Sequence, residues 1–426
     1  MVKRKMRTRF AALAAVVAGL AGLTVPVSGS AADTPTYVGS GFCAMCHQDI
    51  YYTQSATPHA RMLTSARLAK LRGLPLPEGY TWDDIYLVLG GRNRIRYVGQ
   101  DGNFVTKTGP NRDQLANNEY LVSSKTWVTG MTDEVVPYDC GSCHTSGYSE
   151  TGNQGGKPGI VGSWVENGVV CETCHGPGSA HATTKDPSKI VKDTSAAACG
   201  RCHSVAPLDQ IPAEGGFVRT GAQLNEISKS PHAWAECVQC HSPHDKTPAP
   251  VCGDCHGKVA ESFEGSLLAS TGMNCVGCHM PKVAKSARQF NANFADSRAH
   301  IFRINTDPAA PQLTVDGKYV EPYLGLAWAC LGCHEDKNAS WAAGVAVGIH
   351  GDSDADGLTG GDEAVLGTDP QDPDTDGDLA SDGAEWQGGS DPLNPFSVPT
   401  PAGVVVVPTN PPFHEVPVLD DQKPIQ

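Results

Sequence analysis

The sequence is short of what an ordinary globular chain of 426 residues uses to fold. Aromatic residues make up 7% of it and charged residues 18%, against 47 glycines and 31 prolines, so a conventional apolar core is thinly supplied. Beyond Val27 no apolar run approaches the about 20 residues that cross a bilayer, which argues against a spanning helix in the mature chain. Lysine and arginine are absent from Ala346 to Thr400, where thirteen aspartates and glutamates occur. With a formal charge of −14, that imbalance argues against nucleic acid as a partner and for a cation-binding segment. Nor is any cysteine left over, because all sixteen fall within eight copies of one phrase.

The phrase is Cys-x-x-Cys-His, at Cys43–His47, Cys140–His144, Cys171–His175, Cys199–His203, Cys237–His241, Cys252–His256, Cys275–His279 and Cys330–His334. It is the attachment signature of c-type haem. Two thiols at this spacing each form a thioether to the porphyrin edge, and the next histidine falls under the iron. Zinc sites use Cys-x-x-Cys pairs without needing that histidine each time. Disulfides suit an exported chain with an even cysteine count. Eight repeats with no cysteine outside them count against both. The expectation is eight covalently bound haem c groups. Their thioethers would form at Cys43, Cys46, Cys140, Cys143, Cys171, Cys174, Cys199, Cys202, Cys237, Cys240, Cys252, Cys255, Cys275, Cys278, Cys330 and Cys333. The proximal iron ligands would be His47, His144, His175, His203, His241, His256, His279 and His334.

In chain order, Lys3, Arg4, Lys5, Arg7 and Arg9 precede the apolar stretch Ala11 to Val27 and the small residues Ser28 to Ala32, which reads as an export signal over 1–32. The haem domain is expected over 33–345, a calcium-binding module over 346–400 and a flexible tail over 401–426. Exported, the chain would be periplasmic or at the cell surface. Between Gln48 and Asp139, alternation in Arg94–Val98 and Asn103–Thr106 around Asp101-Gly102 predicts a β-hairpin with a structural role. Later gaps between one motif's histidine and the next cysteine are 26, 23, 33, 10, 18 and 50 residues. The shortest, from His241 to Cys252, forces two haems to be neighbours.

The acidic stretch fits the calcium-loop spacing. Asp352, Asp354, Asp356, the Leu358 carbonyl and Glu363 stand at positions 1, 3, 5, 7 and 12, with Gly357 at the sixth. A second run has Asp374, Asp376, Asp378 and Glu385 at the same offsets, but Leu379 at the sixth.

Gly168-Val-Val-Cys-Glu-Thr-Cys-His-Gly-Pro-Gly-Ser-Ala-His181 and Tyr37-Val-Gly-Ser-Gly-Phe-Cys-Ala-Met-Cys-His47, with Thr57-Pro-His-Ala60, resemble multihaem cytochromes c related to the nitrifiers' tetrahaem carrier and hydroxylamine oxidoreductase. Cys237-Val-Gln-Cys-His-Ser-Pro-His244 and Cys275-Val-Gly-Cys-His-Met-Pro281 resemble respiratory multihaem carriers more broadly. The resemblance, covering about Tyr37 to His334, implies a haem-packed, mostly α-helical and irregular fold with irons largely ligated by two histidines. The hairpin would be a small insertion in it. Asp352 to Pro395, with Gly367-Thr-Asp-Pro370 and Ser390-Asp-Pro-Leu-Asn-Pro395, resembles thrombospondin type 3 calcium repeats, implying a small calcium-stabilised loop module.

Seven histidines lie outside the motifs. His59 and His232 share the phrase Pro-His-Ala. His181 and His244 closely follow motifs and are expected to serve a neighbouring haem. His300, in Ser297-Arg-Ala-His-Ile-Phe302, resembles a ligand phrase of the family, and His350 completes the distal candidates. His414 is expected to be free. Eight distal positions thus face six candidates, and even counting His414 one iron lacks a second histidine. The gap points to the Cys275 motif, since Ser270 stands where His232 stands before Cys237. Met62, Met131 and Met273 are alternative ligands. The leading expectation is an electron carrier between redox protein donors and acceptors. Its rival is an octahaem enzyme with one open iron acting on a small nitrogen or sulfur compound, although no Cys-x-x-Cys-Lys marks a catalytic haem. Self-association into a filament is neither favoured nor opposed.

Overall fold

The structure, a computed structural model, describes residues 34–245 and 252–399. The export signal at 1–32, the tail at 401–426 and His414 lie outside the described residues.

The motifs build short helical turns. Cys171–His175 and Cys275–His279 are helices in themselves, and the second and fourth motifs end the helices Gly141–His144 and Ala196–His203. The fifth and sixth open on 3-10 turns at Cys237–Gln239 and Cys252–Asp254. In several motifs the histidine N–H donates to the first cysteine's carbonyl, at 2.9 Å in His47, His241 and His256 and 3.1 Å in His144 and His334. Positions i, i+3 and i+4 share a helix face, so one turn suffices to aim two thiols and an imidazole the same way. Nothing in the motif calls for a longer helix.

Sheet is more abundant than the mostly α expectation, and the fold is mixed. One five-stranded antiparallel sheet runs in order through β1 (Leu63–Ser65), β2 (Ile85–Gly90), β3 (Arg94–Gly99), β4 (Glu119–Leu121) and β5 (Thr126–Val128). Along β3 the period-2 rule sends Ile95 and Tyr97 into one apolar cluster with Ile85 and Val88. Arg94, Arg96 and Val98 take the other face, where Val98 joins Phe104, Tyr138 and Trp164. The segment 103–106 does fold back on β3, with Val105 N–H donating to the Tyr97 carbonyl at 2.7 Å. The principal partner of β3 is β2, however. Its run Ile-Tyr-Leu-Val-Leu-Gly is covered on both faces and carries no alternation to announce a strand.

A second five-stranded sheet gathers Phe294–Ser297, Ala284–Asn291, Phe217–Arg219, Ile211–Glu214 and Tyr319–Val320 in that order. Ile211, Phe217, Val218, Ala284 and Leu324 make its core. The two sheets meet through Asn93 Nδ2, which donates to Ser297 Oγ at 2.9 Å. The expected domain boundary at 345/346 falls inside the helix Ala339–Gly348, which is capped by Asn338 and packs on the helix Gly360–Leu366 of the acidic segment.

Candidate functional site

The non-motif histidines are not scattered. Each of the six distal candidates lies opposite one motif histidine, with ring planes 11° to 84° apart. Ring centroids are 6.3 Å apart for His47 and His181, 6.0 Å for His59 and His203, and 6.0 Å for His175 and His244. They are 6.0 Å apart for His232 and His256, 6.1 Å for His241 and His300, and 6.1 Å for His279 and His350. These separations are too wide for ring stacking and suit an ion between the rings. Two metal–nitrogen bonds of about 2.0–2.1 Å, plus about 1.1 Å from each nitrogen to its ring centre, set centroids about 6.2–6.4 Å apart. The residues present therefore fit iron ligated from both sides. Neither His181 nor His244 pairs with the motif it follows.

Hydrogen bonds orient the rings. Nδ1 of His175 lies 2.7 Å from the Val191 carbonyl, that of His181 2.9 Å from the Asp186 carbonyl, and that of His279 2.8 Å from the Phe302 carbonyl. His203 Nδ1 meets Gln223 Oε1 at 2.9 Å. An Nδ1–H held this way leaves Nε2 as the free lone pair, which fixes the tautomer a metal needs.

The sixteen thiols form no disulfide, yet thiols of different motifs touch. Cys43 lies close to Cys171, Cys143 to Cys202, Cys199 to Cys237 and Cys252 to Cys275. Cys174 lies close to Cys199, Cys240 to Cys252, and Cys278 to Cys330 and Cys333. Motif contacts thus run first, third, fourth, fifth, sixth, seventh, eighth, with the second branching from the fourth. Burial pushes the Cys171 and Cys330 thiols up to about 12; a thioether has no such proton to lose.

Two motif histidines face no second imidazole among the described residues: His144 and His334. The absence expected at the Cys275 motif is not there, because His350 supplies a ring opposite His279. The Ser270 comparison assumed that one local offset repeats, whereas the partner arrives from a helix end further along the chain. His334 meets instead the indole of Trp341, 5.0 Å away. His144 has a buried Nδ1 without a partner, and burial, followed by Arg94, drives its imidazole down to about 4. A cleft of about 400 Å³ opens beside this motif, lined by Arg96, Phe104, Met131, Asp139 and Cys140. Of the three methionines considered as ligands, Met131 lines this cleft, while the Met273 sulfur lies against Gly277 in a motif that already has two histidines. Arg94 and Arg96 are held by the buried Glu119 at 3.5 and 2.5 Å. The hairpin, read from sequence as structural only, brings two guanidinium groups to this site.

Sequence reasoning also missed two carboxylates that tie distant motifs together. Glu172, 2% exposed, accepts from the N–H groups of Val38 at 3.0 Å, Gly39 at 2.7 Å and Gly178 at 2.7 Å. Glu166 accepts from Ser40 N–H and Oγ, both at 2.7 Å. Glu172 stands inside the third motif, but nothing local reveals that its partners flank the first.

The acidic loops form two nests of carboxylates. Oxygens of Asp352, Asp354 and Asp356, and separately of Asp374, Asp376 and Asp378, lie within 4.8 Å of one another, a spread that an ion with bonds of about 2.3–2.6 Å spans. Glu363 and Glu385 are each 0% exposed, and none of their four carboxylate oxygens has a partner. Burial, then Asp354 and Asp356, pushes Glu363 up to about 8, and burial chiefly pushes Glu385 up to about 7. Buried, unpartnered acid groups facing other acids fit a hard dication. Leu358, at the seventh position, is buried and donates its N–H to Asp356 Oδ1 at 2.8 Å.

Comparison with known proteins agrees with this donor set. The cytochrome c3 family matches residues 163–257, and the family of cytochrome c554 and c-prime matches residues 111–176. The chain is thus similar to multihaem c-type cytochromes, families whose cysteine pairs hold haem c covalently. Over 220 residues it is 24% identical to the dissimilatory sulfite reductase MccA of Wolinella succinogenes, covering 38% of this chain and 30% of that protein. The solved octahaem sulfite reductase MccA of that organism superposes with TM-score 0.54 at 19% identity, over 70% of this chain and 65% of the other. The outer cell wall cytochrome OcwA does so with TM-score 0.50 at 19% identity, over 72% and 86%. The chain therefore spans about a third of the curated relative's length, and these likenesses show a shared multihaem fold. Among the described residues no helix is long and apolar enough to cross a membrane.

Proposed function

We propose that the protein is an exported octahaem cytochrome c that carries electrons between respiratory donors and an acceptor outside the cytoplasm. The observation that carries this reading is the set of six histidine pairs at 6.0–6.3 Å strung along touching motifs. Bound haem supplies one-electron redox chemistry; the chain sets spacing, axial ligand and burial, which are the levers on potential. His47, His175, His203, His241, His256 and His279 act as proximal ligands, opposite His181, His244, His59, His300, His232 and His350 in that order. His144 and His334 are proximal ligands without a histidine across from them. The loops at Asp352–Glu363 and Asp374–Glu385 each take one calcium ion and brace the outer end, as the likeness to thrombospondin type 3 repeats suggests.

A second reading draws on one specific feature. The His144 position has no facing imidazole, and a cleft with Arg96 on its wall and Arg94 nearby opens beside it. Guanidinium groups suit a small oxyanion, and the matched relative is named a sulfite reductase. Electron paramagnetic resonance of the oxidised, haem-loaded protein separates the readings. A carrier with Met131 closing that site shows no high-spin signal there and no response to sulfite, nitrite or hydroxylamine. A high-spin signal that shifts with one of these, and is lost with His144→Ala, turns the assignment to catalysis. Fewer than six low-spin centres with two nitrogen ligands would overturn the histidine pairing.

A further inference from the structure

We propose that calcium in the first acidic loop controls the hold of His350 on the site opposite His279. This rests on the calcium and axial-ligand readings above and adds a link between them. His350 stands two residues before Asp352, the first carboxylate of the loop. The chain on either side of it is pinned to the loop and its helix. Gly351 N–H donates to the Gly348 carbonyl at 2.8 Å, and Gly360 N–H donates to the Gly351 carbonyl at 3.1 Å. Gly360 opens the helix that carries Glu363. It approaches so closely that a Cβ there would lie 2.9 Å from the Gly348 carbonyl carbon, and one on Gly361 3.0 Å from the Ile349 carbonyl oxygen.

That helix is anchored in turn. Asp362 Oδ1 accepts from Leu267 N–H at 2.6 Å, and the other carboxylate oxygen caps Thr359. His350 is left between Phe263, at 6.3 Å, and His279, at 6.1 Å with ring planes only 11° apart. The geometry of this pair is thus the geometry of the Gly360 helix. The same helix carries Glu363, buried with both oxygens unpartnered beside Asp354 and Asp356. With an ion among them these groups are ligands. Without one, both Glu363 oxygens are left buried with no partner, a cost that is relieved when its helix moves outward and water reaches the carboxyl group. Such a movement drags Gly351 and His350 with it. The second loop touches the first through Gly383 N–H, which donates to Asp356 Oδ2 at 2.7 Å, so its influence on His350 is indirect.

The test uses the full haem-loaded protein, with calcium alone as titrant after chelation. Calorimetry reports binding, and paramagnetic resonance counts high-spin haem. Removing calcium is expected to add one haem equivalent of high-spin signal, and restoring it to abolish that gain. His350→Ala is expected to carry the extra signal permanently and to stop responding to calcium. Glu363→Gln is expected to mimic chelation more fully than Glu385→Gln. Gly360→Val keeps every calcium-ligand side chain but wedges their helix from Gly348, so it should show the extra high-spin haem even where calorimetry still reports calcium binding. Calcium heat with an unchanged spin count overturns the link alone. So does a calcium-binding Gly360→Val protein with the wild-type count. Absence of any calcium heat overturns the link together with the calcium reading.

Discussion

At the scale of single residues, the side chain with the most consequence outside the haem ligands is Glu172. Its carboxylate accepts three backbone N–H groups from segments on either side of it in sequence, at Val38, Gly39 and Gly178. Hydrogen bonds to a buried ionised acceptor are worth more than neutral ones, and removing the acceptor strands its donors. Glu172→Ala in the haem-loaded protein is expected to cost about 3 kcal/mol, read as a fall in the denaturant midpoint with unchanged slope. A loss under 0.5 kcal/mol, within the range of an ordinary surface change, would show that other contacts hold the first motif to the third. The motif cysteines and histidines were legible because covalent attachment fixes them within one helical turn. The six histidines that each come to lie near a motif histidine could be named, since few histidines remain once the motifs are removed. Their pairing could not: His59 and His203, or His47 and His181, meet only through the path of the intervening chain. Ser270 misled for the same reason.

At the scale of elements, the two acidic loops are a controlled comparison within one molecule. In each, the residue at the sixth position has positive φ, +101° at Gly357 and +79° at Leu379, and its N–H donates to the first aspartate, at 3.0 and 2.8 Å. The turn is the same, but the second loop makes it with a residue whose Cβ crowds the carbonyl. Leu379 is 96% exposed, so its side chain recovers nothing by burial. Leu379→Gly is expected to stabilise the calcium-loaded second loop by about 0.5–1 kcal/mol, the left-handed strain relieved less the added freedom of glycine when unfolded. Thermal unfolding in saturating calcium should rise, and an unchanged or lower midpoint would contradict the strain argument. The two aspartate clusters were readable because their spacing is local in sequence. The sheet was read only in part. Alternation exposed β3, but β2 hid in an unbroken apolar run, and so did the fact that β3 delivers Arg94 and Arg96 to the second motif.

At the scale of the whole molecule, the order of motif contacts makes a claim about connectivity. The fourth motif is the junction: Cys199 lies by Cys174 and Cys237, and Cys202 lies by Cys143. Among the thiol contacts of the described residues, the first and third motifs therefore reach the fifth to eighth through it, with the approach of His175 to His244, just past the fifth motif, as a second route, and the second hangs from it as a side branch. Cys199→Ser with Cys202→Ser removes one attachment site and leaves seven. On the proposed reading every native cysteine forms a thioether, so a cysteine introduced at the exposed Tyr52, on the helix Gln48–Ser55 that follows His47, would be the sole thiol for attaching a photoreductant. A flash would then deliver an electron beside the first motif. In the parent the absorbance change is expected to develop in phases as the electron spreads to more distant sites. In the double variant the early phase should persist and the later ones be lost, while the haem count falls by one. The local fold around the remaining sites is checked by the histidine-pair low-spin signals, of which only that involving His59 and His203 should disappear. If the later phases survive at their parent rates, electrons pass by a route that does not use the fourth motif, and the order of the chain would have to be redrawn around the second.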